Sequence, residues 1–143
     1  MQTILDEGHT WFLESLAYEG GLTITLVEGL TGDTPQDLKV GDTVIENTYP
    51  VETNKDSKRV VVKFGVPVAW QVIDESYTSW DEAEVRDTKG YLQVLSKSKY
   101  LDYVNSNHGW YKDVGGDGAH YRVWTENEVI DVVAQESPEI SQT

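Results

Sequence analysis

The chain has 143 residues, no cysteine, and a net charge of −14 from 25 acidic against 11 basic residues. That length suits one domain with its own core, and the missing cysteines exclude disulfides, thiolate nucleophiles and Cys-ligated zinc. A field of this sign disfavours nucleic acid and anionic membrane surfaces and steers a cationic partner inward.

Only 38% of the residues are hydrophobic, but five Trp and eight Tyr supply burial, each such ring covering about 150–250 Å² when packed. No Lys or Arg precedes Lys39 or follows Arg122. The opening MQTILDEGHTW has neither a basic nor an apolar leader region, so no signal peptide is expected. No apolar run approaches the roughly 20 residues that span a bilayer. Together with the absent cysteines, these features make a reducing cytoplasm the expected compartment.

In chain order, Trp11 to Tyr18 fits a strand or a short helix. Leu22, Ile24 and Leu26 then alternate with Thr23 and Thr25, the two-residue period of a half-buried strand. Glu19-Gly20-Gly21 is the turn between them. Thr31 to Asp42 (TGDTPQDLKVGD) reads as turn chemistry throughout. A strand is expected over Thr43–Val51, limited by Pro50, followed by a polar loop or hairpin tip, VETNKDSK. RVVVKFGVPVAWQVID is the longest strand signal, with Val66, Val68, Trp70 and Val72 on one face. Pro67 has no N–H for a ladder, which places it at an edge or a bulge.

Ser76–Lys89 reads as a turn with one or two helical turns, Ser79 capping and Glu82 completing a capping box. Tyr91–Leu95 is a strand. The period then changes: Tyr100, Leu101 and Val104 share a helical face, Ser98 caps, and Asn105 to Gly109 stops the helix. DVGGDGA is a flexible connection. HYRVWTENEVIDVVA is a hairpin turning at Glu126-Asn127, with Arg122 and Asp131 facing one another across it; such a pair on an open sheet contributes about 0.2–1 kcal/mol. Residues 135–143 are expected to fray. These elements predict a mainly β, single-domain antiparallel sandwich or strongly curved sheet over residues 1–143, with one or two short helices.

No motif for a cofactor, phosphate loop, zinc protease or nucleophile elbow is present, so no cofactor, metal or standard serine hydrolase is expected. Four constellations remain. His108 and His120, with Asp113 or Asp117, are of the right types for a mixed nitrogen and oxygen metal site, but their spacing matches no zinc motif. DVGGDG lacks the alternating acids of a calcium loop. Trp80, Trp110 and Tyr111 lie in polar surroundings, beside Asp81, Glu82 and Glu84 and near His108, His120 and Arg122. Aromatics in loops serve as binding anchors or fold back to plug the ends of a sheet, and plugging is the expectation here. Carboxylate pairs such as Asp74/Glu75 and Glu82/Glu84 would serve glycoside hydrolysis if they flanked a sugar ring.

The series SKSKYLDYVNSNHGW and AHYRVWTENEVIDVVAQESPEI resembles the C-terminal part of small bacterial proteins of no assigned activity, acidic single domains similar in character to immunity proteins that neutralise secreted toxins. The resemblance covers about the last third of the chain and carries no catalytic residue with it. It implies a non-enzymatic interaction protein engaging a basic protein partner. The alternative is a small-ligand or carbohydrate-binding domain, hydrolytic if two carboxylates converge with Trp80, Trp110 and Tyr111. Neither reading fixes the oligomeric state.

Overall fold

The computed structural model describes residues 2–31, 36–48 and 51–143. Its strands are β1 (Trp11–Tyr18), β2 (Leu22–Glu28), β3 (Leu30–Thr31), β4 (Gln36–Val40), β5 (Thr43–Thr48), β6 (Val51–Glu52) and β7 (Arg59–Phe64). They continue with β8 (Pro67–Asp74), β9 (Val85–Arg86), β10 (Leu92–Lys97), β11 (Ala119–Trp124), β12 (Glu128–Ala134) and β13 (Glu139–Gln142). The helices are α1 (Lys99–His108) and α2 (Tyr111–Gly115), with 3-10 turns at Ile4–Glu7 and Glu75–Tyr77.

A four-stranded sheet in the order β1-β2-β7-β13 faces a five-stranded sheet in the order β8-β12-β11-β10-β9; β3 with β6 and β4 with β5 form two separate ribbons. All pairings are antiparallel, and the whole is an open sandwich rather than a closed barrel, as the strand pattern predicts. The inner faces follow the two-residue period. Leu22, Ile24, Leu26, Val60, Val62 and Phe64 from one sheet meet Leu92, Tyr121, Val123, Ile130 and Val132 from the other. Complete burial of each aliphatic chain contributes about 1.5–3 kcal/mol. Phe64 and Tyr121 bridge the layers with ring centroids 5.3 Å apart. Trp11 and Leu5 close one end, the indole Nε1–H donating to the Leu5 carbonyl at 2.8 Å.

The β1–β2 hairpin settles the Trp11–Tyr18 ambiguity in favour of a strand. Its turn uses Gly20 at φ +76°, a left-handed conformation that glycine adopts without strain. The run RVVVKFGVPVAWQVID is two strands, not one. Gly65 and Val66 carry the chain from the first sheet into the second, so β7 and β8 lie in different layers. Pro67 sits as expected, on the edge strand β8 and beside a register shift between Val133 and Ala134 of β12.

Several other expectations are corrected. Residues within the presumed turn segment 31–42 form β4, which pairs with β5 around Gly41 and Asp42. Pro50, expected to limit the strand from Thr43, lies outside the described residues. Ser79 caps no helix. The helical turn starts earlier, at Glu75, and Asp74 caps it by accepting the Ser76 N–H. The glycine-rich connection starts inside a helix, Asp113, Val114 and Gly115 being the last three residues of α2. The tail expected to fray pairs as β13 with β7, because Ile140 finds a half-buried place against the core opposite Val62.

Helix α1 starts where expected, Ser98 Oγ accepting the Leu101 N–H at 3.0 Å. It packs on β11 and β12, on the face of the second sheet turned away from the sandwich core. Strand β12 is therefore buried on both faces.

Candidate functional site

That doubly covered sheet brings the ionic residues of the hairpin together. The β11–β12 register sets Arg122 opposite Asp131, as the hairpin reading requires. Two residue pairs along, on the same face, lies His120, wholly buried, opposite Val133. The open-sheet setting expected for this pair is not what forms: Arg122 and Asp131 are 7% and 4% exposed, because α1 and the segment before β9 roof them over.

The network is continuous. Asp131 Oδ1 accepts from His120 Nε2 at 2.7 Å and from Arg122 Nε at 2.8 Å, and its Oδ2 accepts from Gln71 Nε2 at 3.1 Å. Arg122 turns its other two nitrogens onto Glu84, Nη1 to Oε1 at 3.0 Å and Nη2 to Oε2 at 2.8 Å, a bidentate fork. Arg86 adds a second guanidinium on Glu84. Two guanidiniums thus answer two carboxylates, which is the condition for burying charge without an uncompensated ion. Burial pushes the Asp131 carboxyl up, but the His120 hydrogen bond and the Arg122 charge outweigh it and hold the group below the usual carboxylate range. Arg122 is likewise shifted: burial pulls its pKa down, while Glu84 and Asp131 more than restore it and carry it above its ordinary value.

On the other side of the imidazole, Ser98 Oγ lies 2.7 Å from His120 Nδ1. Asp131, held as a carboxylate, can only accept, so His120 carries a proton on Nε2; at Nδ1 its partner is the Ser98 hydroxyl, whose oxygen also accepts the Leu101 N–H. Serine, histidine and aspartate in a hydrogen-bonded row have the residue types of a hydrolytic triad. Here they do other work. The serine is 3% exposed, the histidine 0% and the aspartate 4%, and the serine oxygen is committed to the end of α1. A nucleophile must reach a substrate; this one is sealed under a helix that it caps. The row locks α1 onto the sheet.

The network surfaces at one point. Arg86 stacks its guanidinium over Trp80, 4.2 Å from the ring centroid. Trp80 and Tyr77 are 74% and 81% exposed, so the segment does not fold back to plug the sheet as expected. The segment DESYTSWDEAEVRD, residues 74–87, holds six acids and one base. Of the expected acids, Glu82 is exposed, Asp81 accepts the Ala83 N–H at 3.0 Å and lies 4.0 Å from Lys99, and Glu84 is consumed by the arginines.

Trp110, Tyr111 and His108 lie elsewhere, past the far end of α1, a helix of ten residues and therefore about 15 Å long. They border an open groove of about 610 Å³ together with Pro67, Val68 and Val114. Trp110 is 76% exposed; Tyr111 donates its hydroxyl to Asn105 Oδ1 at 2.5 Å. Among the described residues no carboxylate lines the groove. The convergence of Trp80, Trp110 and Tyr111 with two acids, which a hydrolytic sugar site needs, is therefore not formed. Nor do His108 and His120 meet: one is exposed and the other is sealed, and no group of three or more potential metal ligands assembles among the described residues.

Sequence reasoning missed three members of the buried network and, on the exposed segment, Tyr77. Ser98 was legible as a cap but not as the His120 partner; Gln71 and Arg86 carried no signal beyond a polar residue in or beside a strand. Searches against protein-family models, curated proteins and solved structures find no match to this chain.

Proposed function

We propose that the chain is a non-enzymatic, acidic binding domain that engages a basic protein partner, in the manner of an immunity protein masking a cationic toxin. The observation that carries this reading is the segment 74–87. It exposes Tyr77 and Trp80 almost fully, surrounds them with Asp74, Glu75, Asp81 and Glu82, and is fixed from beneath through Arg86 and Glu84. Exposed aromatic faces accept guanidinium and ammonium groups, the flanking acids supply the countercharge, and a rigid base reduces the ordering needed on binding. The net charge of −14 adds long-range steering of a cationic partner. The triad-like row speaks for the same reading by being sealed.

The test is a titration of the chain against cationic proteins, among them the product of the adjacent gene, at about 0.05 and about 0.5 M salt, where screening lengths differ about threefold. The expected result is binding that weakens at least about tenfold at high salt and again in Trp80→Ala and Tyr77→Ala. Absence of binding to every cationic protein at low salt, or binding indifferent to both salt and Trp80, refutes it.

A further inference from the structure

We infer that strand β8 is a self-association edge, on which a second copy of this chain pairs antiparallel through Pro67–Asp74 and continues the five-stranded sheet across a two-fold axis. The register fixes which backbone groups are free. The Glu75 N–H donates to the Asn127 carbonyl, directly opposite it in the β8–β12 pairing. Hydrogen-bonded pairs alternate along an antiparallel ladder, so Ile73 and Gln71 face β12, while Val72 and Trp70 turn their N–H and C=O groups outward. No hydrogen bond from any described residue reaches those outward groups. Pro67 and the register shift beside it mark where the open stretch begins.

The other edges of the two main sheets are protected along their length, whereas this one is protected only at its start, by Pro67 and the register shift beside it. β1 carries Glu14 at an irregularity in its pairing, ion-paired to Arg59 at 2.8 Å; β13 has only four residues, and β9 only two, one of them Arg86. Charge, irregularity and shortness are the devices that keep edges from pairing. β8 has eight residues, and Val66 to Ile73 contains no charge at all. Val66, Val72 and Ile73 are 39%, 42% and 38% exposed along it.

The same features choose the occupant. An uncharged edge offers nothing to the lysines and arginines of a basic strand, whereas it is complementary to itself. With Trp70 opposite its symmetry mate, Val72 faces Val68 and Asp74 faces Val66, so the acidic ends of the two strands lie apart. Such an isologous contact closes at two copies. Each copy still bears −14, so the pairing strengthens with salt, opposite in sign to the partner binding proposed above.

Sedimentation velocity on the full chain, from about 5 to about 500 µM at about 0.05 and about 0.5 M salt, reads this directly. The expected result is a dimer whose fraction rises with concentration and with salt. Val72→Pro removes an outward N–H and no ladder bond, and Val72→Lys charges the edge; both are expected to stay monomeric with an unchanged circular dichroism spectrum. Tyr103→Lys, on α1, is expected to dimerise as the parent does. In the unmodified chain, the Trp70 and Val72 amides are expected to exchange more slowly as concentration rises, a readout that stands even if a variant fails to fold. A chain monomeric throughout, a dimer that survives in a folded Val72 variant, or a dimer in which those amides stay unprotected overturns the inference.

Discussion

Asp131→Ala separates a buried lock from a decorative cross-strand pair. The substitution leaves the His120 Nε2–H, the Arg122 Nε–H and the Gln71 amide without their acceptor, in a place where Asp131 is 4% exposed. Removing one partner of a buried ion pair costs about 3–5 kcal/mol, against about 0.2–1 kcal/mol for a solvated cross-strand pair. Since a domain of this kind holds about 5–15 kcal/mol in all, the loss is a fifth or more of its stability. Urea unfolding followed by tryptophan fluorescence measures it, provided the slope against urea is unchanged. The double substitution Asp131→Leu, Arg122→Met is expected to be less damaging than Asp131→Ala alone, because Glu84 then keeps Arg86 and no ion is left unanswered. A loss of less than about 1 kcal/mol in Asp131→Ala would place the pair effectively in water and refute the account of the network.

Four further outcomes are expected. Asp131 is depressed in the folded state, so its contribution is present above the ordinary aspartate range and is lost as pH falls through the lower folded value. Acid titration of stability should therefore show a steeper fall below about pH 4 in the parent than in the Leu/Met double variant. Tyr100 is pushed up to about 12 by burial and by the nearby Asp131 and Tyr103. Stability is accordingly lost as pH rises from 10 toward 12, and ultraviolet titration should show a late tyrosine that vanishes in Tyr100→Phe. Ser98→Ala removes both a helix cap and the hydrogen-bond partner of His120 Nδ1, for a combined loss of about 2–4 kcal/mol by denaturant unfolding. Gly90 has φ +102°, and a methyl there would strike the Asp6 carboxylate that accepts the Tyr91 N–H; Gly90→Ala should lower the melting temperature by several degrees, about 1–3 kcal/mol, in calorimetry.

What the sequence discloses is what short-range physics decides. The alternation in Leu22–Leu26, the Ser98 cap and the register of the β11–β12 hairpin follow from periods and turns a few residues long. The facing of Arg122 and Asp131 was readable for the same reason. Their burial was not, because it depends on Glu84, 38 residues from Arg122, and on α1 arriving over that face. β7 and β8 read as one strand because hydrophobicity does not change when a chain crosses between two buried layers; only Gly65 and Pro67 punctuate it. β13 is mostly polar, and its pairing rests on the open side of β7 rather than on its own composition. The two exposed tryptophans defeat a rule about burial, since a rule about averages cannot see which rings a surface retains.

The order of the strands has a consequence for how fast the molecule can assemble. Sheet one joins β2 to β7 across the ribbons between them and then takes β13; the Trp11 carbonyl waits for the Glu126 N–H, and Asp6 for Tyr91. Few of these ties form locally, so the search for the native arrangement must bring together distant stretches before any layer is complete. Chains wired in this way gather in milliseconds to seconds rather than microseconds, and during that interval the uncharged strand is the segment most open to the wrong neighbour.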